Sequence, residues 1–314
     1  MTDTAPARSL HDARLEHLLL LDGGERVEWE AVGDGQPLMW IEGGPGFPAH
    51  LARPDVALVA DRFRCHLVNA PGIGRTSPPL APRDYGLDSH VEFFDRVRAA
   101  LGLGPVTVMG HSWGGLVAVA WAIAHPGSVS RLIVIDGYIG DASVEPDAAN
   151  AERDRALDRL RGRPWFAAAL AGLATDSDDE REMIDGYAPA WPLYFADPES
   201  PTAQAHVERI RRELRWNLAV ASAWVPEPPI DLRPQLVQIE CPTLVIVGEH
   251  DFVCGPTWNR PIADGIRGAR FEIIDGAGHL PQYEQPESFR EVLVDWLTEQ
   301  AAALAGRIGG GRER

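Results

Sequence analysis

"PVTVMGHSWGG", residues 105–115, decides how the rest of the chain is read. A short β-branched run stops at Gly110, and directly after the glycines "LVAVAWAIAHP" (116–126) is apolar nearly all round. The first run predicts a strand buried on both faces of a sheet, the second a helix buried against that sheet. "GHSWG" (110–114) fits G-x-S-x-G in the strand-to-helix context that this pattern needs. A strand turning that sharply into a helix puts Ser112 in a strained conformation, and glycines at 110 and 114 admit neighbouring backbone. The hydroxyl then stands at a helix N-terminus, where developing negative charge is stabilised. A plain turn with a capping serine is the competing reading, and the context weighs against it.

Outward from this stretch the same rhythm recurs. "HLLLL" (17–21), "ERVEWEAV" (25–32), "PLMWIE" (37–42) and "FRCHLVNA" (63–70) read as strands before it; "VSRLIVIDG" (129–137), "PTLVIVGEHD" (242–251) and "RFEIIDGAGH" (270–279) read as strands after it. Helices are predicted at 88–102, capped by Asp88 or Ser89, around 256–267, and at 286–304. Alternating strands and helices predict an α/β fold with a mostly parallel central sheet flanked by helices. From 138 to 233 the alternation stops, and Ala/Arg/Asp/Glu-rich helical stretches predict an inserted helical cap. The expected organisation is therefore core 1–137, cap 138–233, core 234–304 and a flexible tail 305–314.

Composition narrows the chemistry. Of 314 residues 45% are hydrophobic and 24% charged, as in a soluble globular protein. Lys+Arg 29 against Asp+Glu 46 gives a net charge of -17, which would repel nucleic acid and anionic lipid heads. Every basic residue among the Lys and Arg is arginine, and the absence of lysine excludes Schiff-base chemistry, pyridoxal attachment, a P-loop lysine and Ser–Lys dyads. Cys65, Cys241 and Cys254 are odd in number and widely spaced, so neither a disulfide framework nor a zinc knuckle is expected. No targeting segment and no apolar run of the roughly 18 residues needed to span a bilayer is visible, so a cytoplasmic location is expected.

A serine hydroxyl needs a base, and without lysine that base is histidine. His279 lies on a glycine-rich loop after the last predicted strand, and Asp251 ends the strand before it, matching the chain order Ser, acid, His. Glu249 is the weaker substitute for the acid. Glu249, His250 and Asp251 are consecutive, and no spaced ligand pair supports a metal. "EGGPGFP" (42–48) ends an apolar strand with three glycines. Gly43 and Gly44, stiffened by Pro45, and the N–H of Trp113 are the candidate oxyanion donors.

Together "EGGPG", "GHSWGG", "GEHD" and "GAGH" resemble the α/β-hydrolase superfamily, and within it the proline iminopeptidase-like branch, over about residues 17–304. The resemblance implies an acyl-enzyme on Ser112, with His279 as base and acid, Asp251 as its orienter, and no cofactor. The branch usually reads His-Gly-Gly-Pro-Gly, where this chain has Glu42 in place of the histidine; Ala70 and Pro71 similarly depart from the superfamily's polar turn. Aminopeptidases of the branch hold the substrate's amino group with cap carboxylates, but Glu182, Asp185, Asp197 and Glu199 read as solvated helix surface. "YAPAWPLYF" (187–195) is the expected cavity lining, with Trp191, Tyr194 and Phe195 as substrate contacts. Glu42 is expected to turn away from Ser112 towards its own loop's N–H groups or an arginine, since a carboxylate facing the oxyanion would oppose it. The competing reading has Glu42 in the cavity, binding a substrate cation. The expected substrate is a small ester, lactone or amide with an apolar body. Non-hydrolytic chemistry on the same turn, such as acyl transfer, perhydrolysis or a tailoring step, and a ligand-binding protein with negligible turnover are the alternatives.

Overall fold

The computed structural model describes residues 17–140, 147–223 and 230–310. Eight strands form one sheet: β1 (His17–Leu20), β2 (Arg26–Val32), β3 (Gln36–Ile41), β4 (Phe63–Val68), β5 (Val106–His111), β6 (Val129–Ile135), β7 (Thr243–Gly248) and β8 (Arg270–Ile274). Their spatial order is β1-β2-β4-β3-β5-β6-β7-β8. β1 and β2 pair antiparallel and β2 joins β4 antiparallel; every later pairing is parallel. β5 and β7, apolar along most of their length, are buried at every residue, whereas the edge strand β1 alternates half-buried with exposed. That difference follows from position: a central strand is covered by helices on both faces, an edge strand is not.

Helices cover both faces: α1 (Arg53–Ala57), α2 (Leu87–Ala100) and α3 (Trp113–Ala124) come before the long insertion. α2 starts one residue before the expected cap: Gly86 is its N-cap without a side-chain bond, and Asp88 sits inside the first turn. There its carboxylate complements the helix dipole instead of capping the N–H groups. α3 is buried from Trp113 to Ala122, as its uniformly apolar sequence requires.

Between β6 and β7 come α4 (Asp147–Asp158), α5 (Phe166–Leu173), α6 (Glu180–Tyr187), a 3₁₀ stretch Ala188–Tyr194, α7 (Pro201–Glu213) and α8 (Leu218–Ala223), with a single isolated bridge, Gly140 to Asp231, among the described residues. Asp179 caps α6 by accepting Glu182 N–H at 2.9 Å, and Ser200 caps α7 by accepting Ala203 N–H at 3.1 Å. Pro189 and Pro192 lack the donors of an α-helix, which accounts for the tighter 3₁₀ turn that carries Trp191. After β7 come α9 (Pro256–Gly265), α10 (Pro281–Glu284) and α11 (Pro286–Gly310). α11 runs beyond 304 into the stretch expected to be a flexible tail, and 311–314 lie outside the described residues. Among the described residues no helix is long and apolar enough to cross a membrane.

Candidate active site

Ser112 links β5 to α3 with φ 54 and ψ -122, a conformation that L-residues rarely adopt. The close approach that holds it there needs glycine at 114. A Cβ on Gly114 would lie 2.1 Å from the carbonyl oxygen of Ile41 and 2.8 Å from that of Glu42. The first turn of α3 is thus pressed against the end of β3, where the 42–48 loop begins.

His279 follows β8. Its Nδ1 lies 2.8 Å from Asp251 Oδ2, its N–H donates to Tyr194 O at 2.8 Å, and its carbonyl accepts from His111 Nε2 at 2.8 Å. A carbonyl only accepts, so Nε2 of His111 carries the proton; burial pushes that imidazole down to about 3, and it is neutral. Asp251 is 1% exposed, and burial alone would raise its pKa. The charge and hydrogen bond of His279, with the N–H groups of Val253 and Cys254, outweigh burial and leave it below the usual carboxylate range. With Nδ1 engaged, Nε2 is the nitrogen of His279 left for chemistry. Ser112 and His279 line the same cavity, and no hydrogen bond joins their side chains. Such contacts commonly tighten only when substrate is present.

Gly43 lies against the Ser112 turn: a Cβ there would stand 3.4 Å from Ser112 Cβ and 3.3 Å from His111 Nδ1. Gly44 has φ +122, which favours glycine. Trp113 begins α3, so its N–H stands at the helix N-terminus, beside Ser112.

Glu42 does not turn away from the site. It lines the cavity with Ser112, and its carboxylate accepts from Trp40 Nε1 at 2.9 Å. The Gly43 N–H and, through space, Arg209 favour its anion. The rest of the neighbourhood outweighs them: burial first, then the charge of Asp55, pushes Glu42 up to about 8, so at neutral pH it is a carboxylic acid and carries no charge to oppose an oxyanion.

The cavity measures about 160 Å³. One wall is aromatic: Phe47, Tyr187, Trp191, Tyr194, Phe195 and Trp216. Trp191, Tyr194 and Phe195, expected from the sequence, stand together there. The other end is polar and was not anticipated. Asp55 accepts from Gln282 Nε2 at 2.7 Å and Tyr283 Oη at 2.8 Å, and Arg209 donates to Tyr283 Oη at 2.8 Å. Burial raises Asp55 to about 6. Glu249 is not at the site; it is exposed and accepts Gly276 N–H at 2.9 Å. The only sequence signal for the polar end was "PQYE" (281–284), polar residues directly after the histidine loop; Asp55 and Arg209 lie on α1 and α7, far apart in the chain.

A family model for the alpha/beta hydrolase fold matches residues 35–286. The chain belongs to the α/β-hydrolase family. It is 24% identical over 284 residues to a proline iminopeptidase of Heyndrickxia coagulans, covering 87% of this chain and 96% of that protein. It is 29% identical over 286 residues to a 2-hydroxy-6-oxononadienedioate/2-hydroxy-6-oxononatrienedioate hydrolase of Cupriavidus pinatubonensis, covering 87% and 90%. Among solved structures, an alpha/beta fold family hydrolase from Bacillus anthracis superposes with a TM-score of 0.72 at 18% identity, covering 90% of this chain and 98% of that one. These likenesses support both the superfamily and the proline iminopeptidase-like branch, and make this α/β hydrolase an enzyme of the hydrolase class.

Proposed function

We propose that this α/β hydrolase is a serine hydrolase that cleaves a small ester, lactone or amide through an acyl-enzyme. The observation that carries the proposal is the Asp251–His279 bond of 2.8 Å in the same cavity as a serine at φ 54. Ser112 Oγ attacks the substrate carbonyl as His279 Nε2 takes its proton, and Asp251 stabilises the imidazolium. The N–H groups of the Gly43–Gly44 loop and of Trp113 receive the oxyanion. Collapse breaks the bond to the leaving group, which takes the proton from His279; water, activated by the same nitrogen, then releases the acid and frees Ser112. Neutral Glu42 beside the loop leaves this oxyanion unopposed. The aromatic wall receives the apolar body, and the end formed by Asp55, Gln282, Tyr283 and Arg209 receives a hydrogen-bonding group.

Incubation with a fluorophosphonate followed by intact mass and peptide mapping tests the reading. One adduct on Ser112, absent in Ser112→Ala and strongly slowed in His279→Ala, is expected. No adduct on the wild-type protein, together with full turnover of an aryl ester by Ser112→Ala, would sink it.

A further inference from the structure

A second buried carboxyl lies beside the triad acid, and no step above uses it. Asp136 directly follows β6, is 0% exposed, and adopts φ 44. Its Oδ1 accepts Gly248 N–H at 2.8 Å, at the end of the strand that leads to Asp251. Its Oδ2 is fully buried and reached by no N–H or O–H donor among the described residues. A ring nitrogen each of His111 and His279 and a carboxyl oxygen of Asp136 all lie within 4.8 Å of one another.

We propose that Asp136 is held as a neutral carboxylic acid that donates its Oδ2 proton to Asp251, making it a positioning residue for the Asp251–His279 pair.

Two buried carboxyls beside one imidazole cannot both be ionised at an acceptable cost. Asp251 receives His279 Nδ1 and the N–H groups of Val253 and Cys254, all of which favour its anion. Asp136 receives one N–H, and burial, then the charge of Asp251, raise it well above the ordinary carboxylate range. The proton therefore belongs to Asp136, and a donated proton also gives Oδ2 the partner it otherwise lacks. The other titratable groups that face this pair are neutral His111 on β5, Cys254, Tyr194 of the cap, and Glu284, whose pKa burial raises to about 7. The pair therefore presents one negative charge to His279, not two.

The kinetic part of the test rests on the serine-hydrolase reading; an infrared part does not. Asp136→Asn keeps a donor and an acceptor in place and suits φ 44. It is expected to leave kcat/KM within about threefold and its acidic limb unmoved, because it replaces a neutral group by a neutral one. Asp136→Gly accepts the same backbone but removes the donor, and kcat is expected to fall about tenfold or more. In the difference spectrum between wild type and Asp136→Asn at pH 7, where the bands of Glu42 and Glu284 cancel, a buried carboxylic-acid C=O band is expected from the wild-type protein. An acidic limb shifted to lower pH in Asp136→Asn would mean that a charge had been removed, and would overturn the proposal. So would wild-type kcat in Asp136→Gly, or the absence of the band. If Ser112 is not labelled at all, the infrared result still decides the protonation.

Discussion

Glu284 Oε1 accepts the backbone N–H of Gly278 at 2.6 Å, and through Oε2 the same side chain accepts the N–H of Ala196 at 2.6 Å. One carboxylate thus holds the loop that carries His279 and the cap segment that carries Tyr194 and Phe195. Removing it strands two partly buried donors, at about 1–3 kcal/mol each. Glu284→Ala is expected to lower kcat and raise KM together, with Glu284→Gln intermediate because it keeps one acceptor. Steady-state kinetics alongside urea unfolding checks this; a loss of stability with both kinetic constants unchanged would show that the tie is merely structural.

Glu42 predicts an alkaline limit to activity. It ionises at about 8, and above that pH a carboxylate faces the oxyanion, at about 4 kcal/mol for charges roughly 4 Å apart. The wild-type kcat is expected to decline above pH 8 on a neutral acyl ester, and Glu42→Gln to abolish that decline. Testing a proline arylamide beside the ester separates the competing role, since a loss confined to the amine and mostly in KM would mark Glu42 as the amine's partner.

Gly114→Ala is expected to disable the site without touching any reacting group. The added methyl meets the Ile41 carbonyl oxygen at 2.1 Å, so either β3 or α3 must move. Overpacking of this kind costs about 1–3 kcal/mol, and the movement separates Trp113 from the 42–48 loop. Fluorophosphonate labelling should slow more than tenfold in about the same proportion as kcat/KM. Unchanged labelling would argue that the two donors are not held by this contact.

His66 is a buried base with no partner on either ring nitrogen, stacked on Trp29 at 5.6 Å. Burial first, then Arg64, pushes it down to about 4. Because the folded value lies below the unfolded one of about 6.5, the unfolded chain binds more protons between them, and stability is lost as pH falls from about 6.5 to about 4. His66→Phe keeps the stacked ring and removes that loss. Its advantage over wild type is expected to widen by about 1–3 kcal/mol between pH 7 and pH 4.5 in urea unfolding; parallel curves would count against it.

Much of this architecture is written locally. β5 and β7 are runs whose apolar character requires two covered faces, and Ser112, Asp251 and His279 each follow a strand end, where backbone pattern alone locates them. The cap was legible as helix because its sequence lacks any strand alternation. The polar end of the cavity was not legible: Asp55, Arg209 and Tyr283 come from α1, α7 and α10, and only the closed fold brings them within hydrogen-bond reach. Asp136 read only as the end of the buried strand "VSRLIVIDG", since its meaning depends on Asp251, 115 positions later. The direction of Glu42 failed for another reason: the sequence argument assumed a charged carboxylate, and burial removes the charge.

The backbone of Ser112 sets two selective pressures against each other. Holding a serine at φ 54 and ψ -122 costs about 1–3 kcal/mol, and glycine would be spared that cost. With Ser112 as the nucleophile proposed above, the sturdiest residue at position 112 is thus one that cannot react. Any campaign that ranks variants of this chain by heat resistance alone will drift towards inert protein, whereas one that also selects for turnover must recover the lost margin elsewhere, in the cap or the outer helices, where hardening leaves this turn as it is.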